Sequence, residues 1–154
     1  MVNVYTCIVS GAEMISDSFD FKLDPVTGCY TLTTEMVVDD PDAEVTTKVP
    51  NVAKAFRYSK TKYTKKEFAL YLKSYMGKLA PHVKETNEAE MGNFKKGAMG
   101  LLKFVSKSKK ADCVEYWMNE EGDATGCIAV STWPESDASP TFMIFSYGLK
   151  MTKN

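Results

Sequence analysis

The chain has 154 residues, 44% of them hydrophobic and 25% charged. That length and mix suit one unit that buries its own core, and exclude a disordered, collagen-like or disulfide-scaffold chain. The formal net charge of −1 hides a segregation: residues 54–110 hold fifteen basic side chains against four acids, and the remainder holds sixteen acids against four lysines.

In chain order, the opening segment MVNVYTCIVSG lacks the basic region and apolar run of a signal peptide. The longest apolar stretches fall short of the ~18 residues of a membrane span, so a soluble cytosolic chain is expected. Residues 1–38 read as strands. Val2, Val4, Cys7, Ile8 and Val9 form a β run that stops at Ser10-Gly11. Phe19–Leu23 and Cys29–Thr33 flank the turn signal Asp24-Pro25-Val26-Thr27-Gly28, a hairpin pattern. A polar acidic loop of about 38–50 follows, and a further strand is predicted over Val52–Tyr58.

Thr64 with Glu67 three residues on is a capping box that opens a helix. Phe68, Tyr71, Leu72, Tyr75, Met76 and Leu79 recur at helical spacing, and Pro81 is expected to end the run. A second helix carries Met91, Phe94, Ala98, Leu101, Leu102 and Val105 at intervals of three and four. Their polar faces are rich in lysine, so residues about 64–108 read as an αα-hairpin with a basic outer surface. β character returns at Val114–Met118, Cys127–Trp133 and Phe142–Ser146. This order predicts an α+β fold with mostly antiparallel pairing, as one domain over 1–154.

Signals for catalysis are few. His82, the only histidine, follows Pro81 and reads as a surface residue of the interhelical connection. Lys95-Lys96-Gly97-Ala98-Met99-Gly100 superficially resembles a basic GXXG clamp for RNA. It falls within the second helix, where small residues permit close approach, and the aromatic residues interleaved with the lysines lie on the apolar stripe. The four cysteines (Cys7, Cys29, Cys113, Cys127) are irregularly spaced without C-x-x-C, which favours reduced, mostly buried thiols over a zinc site. A redox role for Cys127, of the sulfoxide-reductase type, would need an accessible low-pKa thiol. Asp39, Asp40, Asp42 and Glu44 offer hard oxygen ligands, without the glycine or closing bidentate glutamate of an EF-hand. They read as a solvated acidic loop or a weak Ca2+ site; no other cofactor is expected. The lysine-rich hairpin reads as a solvated basic face or a surface for an acidic partner, RNA being the alternative.

Five segments in register resemble the translationally controlled tumour protein family. They are Ser10-x-x-Glu13-Met14-x-Ser16-Asp17; Cys29 with Met36 and Val37; Tyr63-Thr64-Lys65 with Tyr71, Tyr75 and Met76; Tyr116-Trp117-x-x-Glu120 with Gly126, Ala129 and Trp133; and Pro140–Phe145 with Gly148, Leu149 and Met151. The sequence departs from the family in a shorter loop over Val37–Asn51, which lacks the family's N-x-S-x-E pattern. It departs also in Thr6 and Cys7, which replace a basic and acidic pair, and in Asn119, which replaces a glycine. Asn suits a left-handed turn position.

The resemblance implies a β-tent: small, mostly antiparallel twisted sheets with a projecting αα-hairpin. It implies a non-enzymatic cytoplasmic regulator of growth and protein synthesis, also secreted non-classically and expected to be a monomer. Its partners would be a small Ras-family GTPase, whose nucleotide exchange it would regulate, an elongation factor and tubulin of microtubules. Specific nucleic acid is not among them, and weak calcium binding is. Glu13 matches the family glutamate of the GTPase contact, with Ser10 and Asp17 around it; a purely structural alternative is that Glu13 caps the Ser10 turn. Lys65, Lys66, Lys73, Lys95, Lys96 and Lys103 would form the acidic-partner, tubulin-type surface.

Overall fold

The computed structural model describes residues 3–45, 47–107, 114–122, 125–133 and 140–153. Three antiparallel sheets and one helical hairpin make up the fold, which is α+β. The first sheet joins the two ends of the described chain: β1 (Asn3–Cys7) lies between β11 (Leu149–Lys153) and β2 (Glu13–Ser16). The six-stranded sheet runs in the order β3 (Lys22–Asp24), β4 (Cys29–Thr33), β10 (Thr141–Phe145), β9 (Ala129–Thr132), β8 (Val114–Met118) and β7 (Ser59–Thr61). A small ribbon pairs β5 (Met36–Val38) with β6 (Lys48–Pro50).

The β3–β4 hairpin closes where the turn signal placed it. Asp24 accepts hydrogen bonds from the Val26 N–H at 3.0 Å and from the Thr27 hydroxyl at 3.0 Å, an Asx-type turn, and Gly28 takes the positive φ of 67°. The acidic loop is shorter than expected, because Lys48–Pro50 pairs back on Met36–Val38. The strand predicted over Val52–Tyr58 is instead a short helix, α1 (Asn51–Ala55), followed by β7. Its apolar pair Val52 and Ala53 is buried, and so short an apolar run has no periodicity that separates strand from helix.

The capping box forms as read: Thr64 Oγ1 accepts from the Glu67 N–H at 3.0 Å, and Glu67 Oε1 accepts from the Thr64 N–H at 2.9 Å. Helix α2 then runs over Lys65–Asn87, a short 3₁₀ turn over Glu88–Glu90, and helix α3 over Met91–Lys107. Pro81 does not end α2. It sits exposed inside it, and Val83 beyond it is buried. Tertiary packing of that last stretch outweighs the missing N–H. His82 therefore lies on the helix, half-buried, and not in the connection.

Phe68, Leu72, Tyr75 and Leu79 of α2 and Phe94, Ala98, Leu101 and Val105 of α3 face the sheets, with Cys29, Phe142 and Ile144 in the same core. Gly97 and Gly100 on α3 do permit a close approach, but of the β3–β4 turn. A Cβ on Gly97 would stand 3.0 Å from the Gly28 Cα, and one on Gly100 would overlap the Val26 carbonyl. Two aromatic hydroxyls tie the hairpin to the tent. Tyr71 donates to the Gly126 carbonyl at 2.7 Å and accepts from the Ile128 N–H at 3.0 Å, and Tyr75 lies 3.6 Å from Cys7 Sγ. The opposite face of each helix, with its lysines, projects into solvent.

Candidate partner-binding site

Glu13 opens β2 and is exposed. The turn before it is closed by other atoms. Ser10 N–H donates to Cys7 Sγ at 3.4 Å, Ala12 N–H to Ser10 Oγ at 3.3 Å, and Gly11 N–H to the Cys7 carbonyl at 2.8 Å. Glu13 takes part in none of these bonds, so the alternative in which it caps the Ser10 turn does not hold.

Glu13 lines a cavity of about 460 Å³ whose other charged residues are Arg57, Glu120 and Glu121. Arg57 reaches this place through an unusual backbone. Helix α1 ends with Tyr58 N–H donating to the Ala53 carbonyl and Arg57 N–H to the Lys54 carbonyl. That is the Schellman pattern, whose left-handed residue is ordinarily glycine. Here it is Arg57, with φ of 56°, the only non-glycine among the described residues with positive φ. Its guanidinium meets Glu120 at 3.4 Å. With three acidic residues to one arginine, itself paired with Glu120, the lining of this opening is acidic. Arg57 also borders a second cavity of about 420 Å³, lined by Lys48, Lys54, Lys60, Trp117 and Trp133 among others. There Lys60 pairs with Glu115 and lies 5.3 Å over the Trp117 ring.

Of the other two residues grouped with Glu13, Ser10 is next to it through the turn. Asp17 is not brought together with it. It follows the far end of β2, about 13 Å along an extended strand, and accepts from the Asn3 N–H at 3.1 Å. Neither Arg57 nor Glu121 carries a sequence signal for this site, and Glu120 stands in the sequence only as a motif position. An arginine directly after the buried Phe56 carries no signal of a left-handed cap.

Lys65, Lys66, Lys73, Lys95, Lys96 and Lys103 are all exposed. Lys65 spans the two helices, its Nζ donating to the Ser106 carbonyl at 3.0 Å. Asp39, Asp40, Asp42 and Glu44 are exposed, and Asp40 Oδ1 accepts from the Asp42 N–H at 3.0 Å. Among the described residues no group of three or more His, Cys, Asp or Glu side chains is placed to hold a metal ion.

Cys7, Cys29 and Cys127 are free and buried, and Cys113 lies outside the described residues. Burial pushes the Cys127 thiol well up, the opposite of what the redox reading of that residue requires. Burial pushes Cys7 up as well, but hydrogen bonds from Ser10, Tyr75 and the Cys127 N–H outweigh it and leave that thiol below its ordinary value. Asn119 is not in a left-handed turn. It is buried, its Nδ2 donating to the Cys127 carbonyl at 3.2 Å, and Gly122 takes the positive φ. Among the described residues no helix is long and apolar enough to cross a membrane.

A family model described as translationally controlled tumour protein matches residues 2–150. The translationally-controlled tumor protein homolog of Kluyveromyces lactis is 33% identical, covering 97% of this chain and 98% of its own length. That of Saccharomyces cerevisiae is 30% identical over 95% and 96%. The K. lactis alignment runs to 168 positions, so the relative has residues for which these 154 offer no counterpart. The solved structure of the Schizosaccharomyces pombe translationally controlled tumor-associated protein matches with a TM-score of 0.82 at 25% identity over 100% of both chains. That of the Caenorhabditis elegans protein matches in fold with a TM-score of 0.73 at 20% identity, over 100% of this chain and 99% of that one.

Proposed function

The chain belongs to the translationally controlled tumour protein family, and from that membership we propose that it is a non-enzymatic, cytosolic binding protein with two separate partner surfaces. The first is the acidic opening around Glu13, facing a small Ras-family GTPase. The observation that carries this reading is that Glu13 is exposed and unused by its own turn, while Arg57 is held in a costly conformation beside it. A free carboxylate of this kind suits the magnesium and lysine of a nucleotide site, or a cationic switch segment. Ser10 supports the turn that presents it, and Asp17 would contribute from the far end of β2.

The second surface is the lysine face of the hairpin. Six exposed ammonium groups, in a segment that is basic overall while the rest of the chain is acidic, suit acidic partners such as tubulin tails or an acidic region of an elongation factor.

The test of the first surface is Glu13→Val assayed for binding and nucleotide exchange on a cognate Ras-family GTPase. Glu13 is exposed and supports no turn, so folding should be unchanged within about 0.5 kcal/mol. Binding should weaken at least about tenfold, the scale of one charge-assisted hydrogen bond. A variant that binds and exchanges like the parent would remove Glu13 from the function.

A further inference from the structure

The solvent face of the hairpin holds more than charge. Leu70 of α2 is 62% exposed and Met99 of α3 is 53% exposed. They open on a groove of about 360 Å³ between the two helices, walled by Ala69, Met76 and Leu102 and reaching in to the core residues Leu72 and Ala98. Helical spacing brackets each exposed apolar residue with cations: Lys66 and Lys73 stand one turn to either side of Leu70, and Lys95 and Lys103 one turn to either side of Met99. All four lysines are exposed. Helix α3 contains no acid, and the one acid between Lys65 and Lys84, Glu67, is engaged in the capping box.

We propose that this groove receives an amphipathic helix of a partner protein, one whose apolar stripe is flanked by aspartates and glutamates. The inference rests on the reading of the hairpin as a surface for acidic partners and names what such a partner must also have. A groove between two antiparallel helices is the shape a third helix fills, and an apolar stripe recurring at three- and four-residue intervals covers Leu70 and Met99 together. The four lysines then meet carboxylates on both flanks of the incoming helix. An acidic tail without apolar residues satisfies the lysines but leaves the groove wet. A second copy of this hairpin fills the groove but sets lysine against lysine.

The probe is a fluorescent peptide of about 18 residues, roughly 27 Å as a helix, with leucines along one stripe and glutamates flanking it. Its control has the same composition shuffled to destroy the stripe. The full chain should bind the patterned peptide at least about tenfold more tightly, the worth of one buried leucine or methionine side chain. Replacing both Leu70→Ser and Met99→Ser should remove that advantage, while the melting temperature and the salt-sensitive binding of the shuffled peptide stay as they were. Equal binding of the two peptides overturns the groove and leaves the lysine surface standing. Failure of both peptides to bind overturns the groove and the lysine surface together. Capture of phosphatidylserine-containing vesicles, or self-association of the chain, through Leu70 and Met99 in place of the patterned peptide also overturns the proposal.

Discussion

Arg57 shows how much a single residue can tie together: it ends a helix, borders two cavities and pairs with Glu120. Its left-handed backbone costs about 1–2 kcal/mol that glycine would not incur. Its ion pair, 79% and 40% exposed at the two side chains, returns less than about 1 kcal/mol. Arg57→Gly should therefore raise stability by about 1 kcal/mol in urea unfolding while weakening whatever binds the Glu13 opening. A loss of stability would mean that the guanidinium, and not the backbone, dominates at this position. Two titrating groups, the half-buried Tyr147 phenol and the buried Cys29 thiol, act in one direction. Burial, with the neighbouring Glu90 that accepts its hydroxyl hydrogen bond at 3.0 Å, pushes Tyr147 up to about 12. Burial likewise pushes the Cys29 thiol up to about 12. Both groups hold their proton more tightly folded than unfolded. Their contribution is thus fully present below the unfolded values, near 9 for the thiol and 10 for the phenol, and lost as pH rises from there toward 12. The urea midpoint should fall steadily between about pH 9 and pH 11, with tyrosinate absorbance rising along with unfolding. A flat profile over that range would contradict the burial of these groups.

Among the elements, the hairpin was the most legible in sequence. Its cap, its two apolar stripes and its lysine faces were all written at helical spacing, and both helices formed within a residue or two of the reading apart from the end of α2. At that end Pro81 is a local stop signal, whereas the burial of Val83 that carries the helix past it is tertiary. The Val52–Tyr58 segment is too short an apolar run for its period to separate strand from helix, and the pairing of β1 with β11 has no local signal at all. The site is half legible in sequence: Glu13 and the lysines stand out there, whereas Arg57 and Glu121 join Glu13 at one cavity only through the fold. Glycines on the hairpin separate helix propensity from docking. Gly77 has open space around its missing side chain, whereas a Cβ on Gly100 would enter the β3–β4 turn. Gly77→Ala should stabilise by up to about 1 kcal/mol through propensity alone. Gly100→Ala, with the same propensity gain, should instead destabilise by about 1–3 kcal/mol through overpacking. Thermal melts of the two variants decide this; an equal gain in both would mean that the turn does not sit on α3.

At the scale of the whole molecule, near-zero net charge is the sum of an acidic set of sheets and a basic hairpin. The cavity around Glu13 includes none of the hairpin lysines, and the hairpin groove includes none of the residues around Glu13. The two surfaces should therefore act independently, and electrostatic attraction at the hairpin should weaken with salt as screening shortens to about 8 Å near physiological ionic strength. The most direct measurement is microtubule co-sedimentation across a salt series, with the parent chain, Glu13→Val, and a variant reversing Lys66, Lys73, Lys95 and Lys103 to Glu. Parent and Glu13→Val should sediment alike, with affinity falling as salt rises, and the reversed variant should stay in the supernatant. Undiminished sedimentation of the reversed variant, or loss of sedimentation with Glu13→Val, would contradict two separate surfaces.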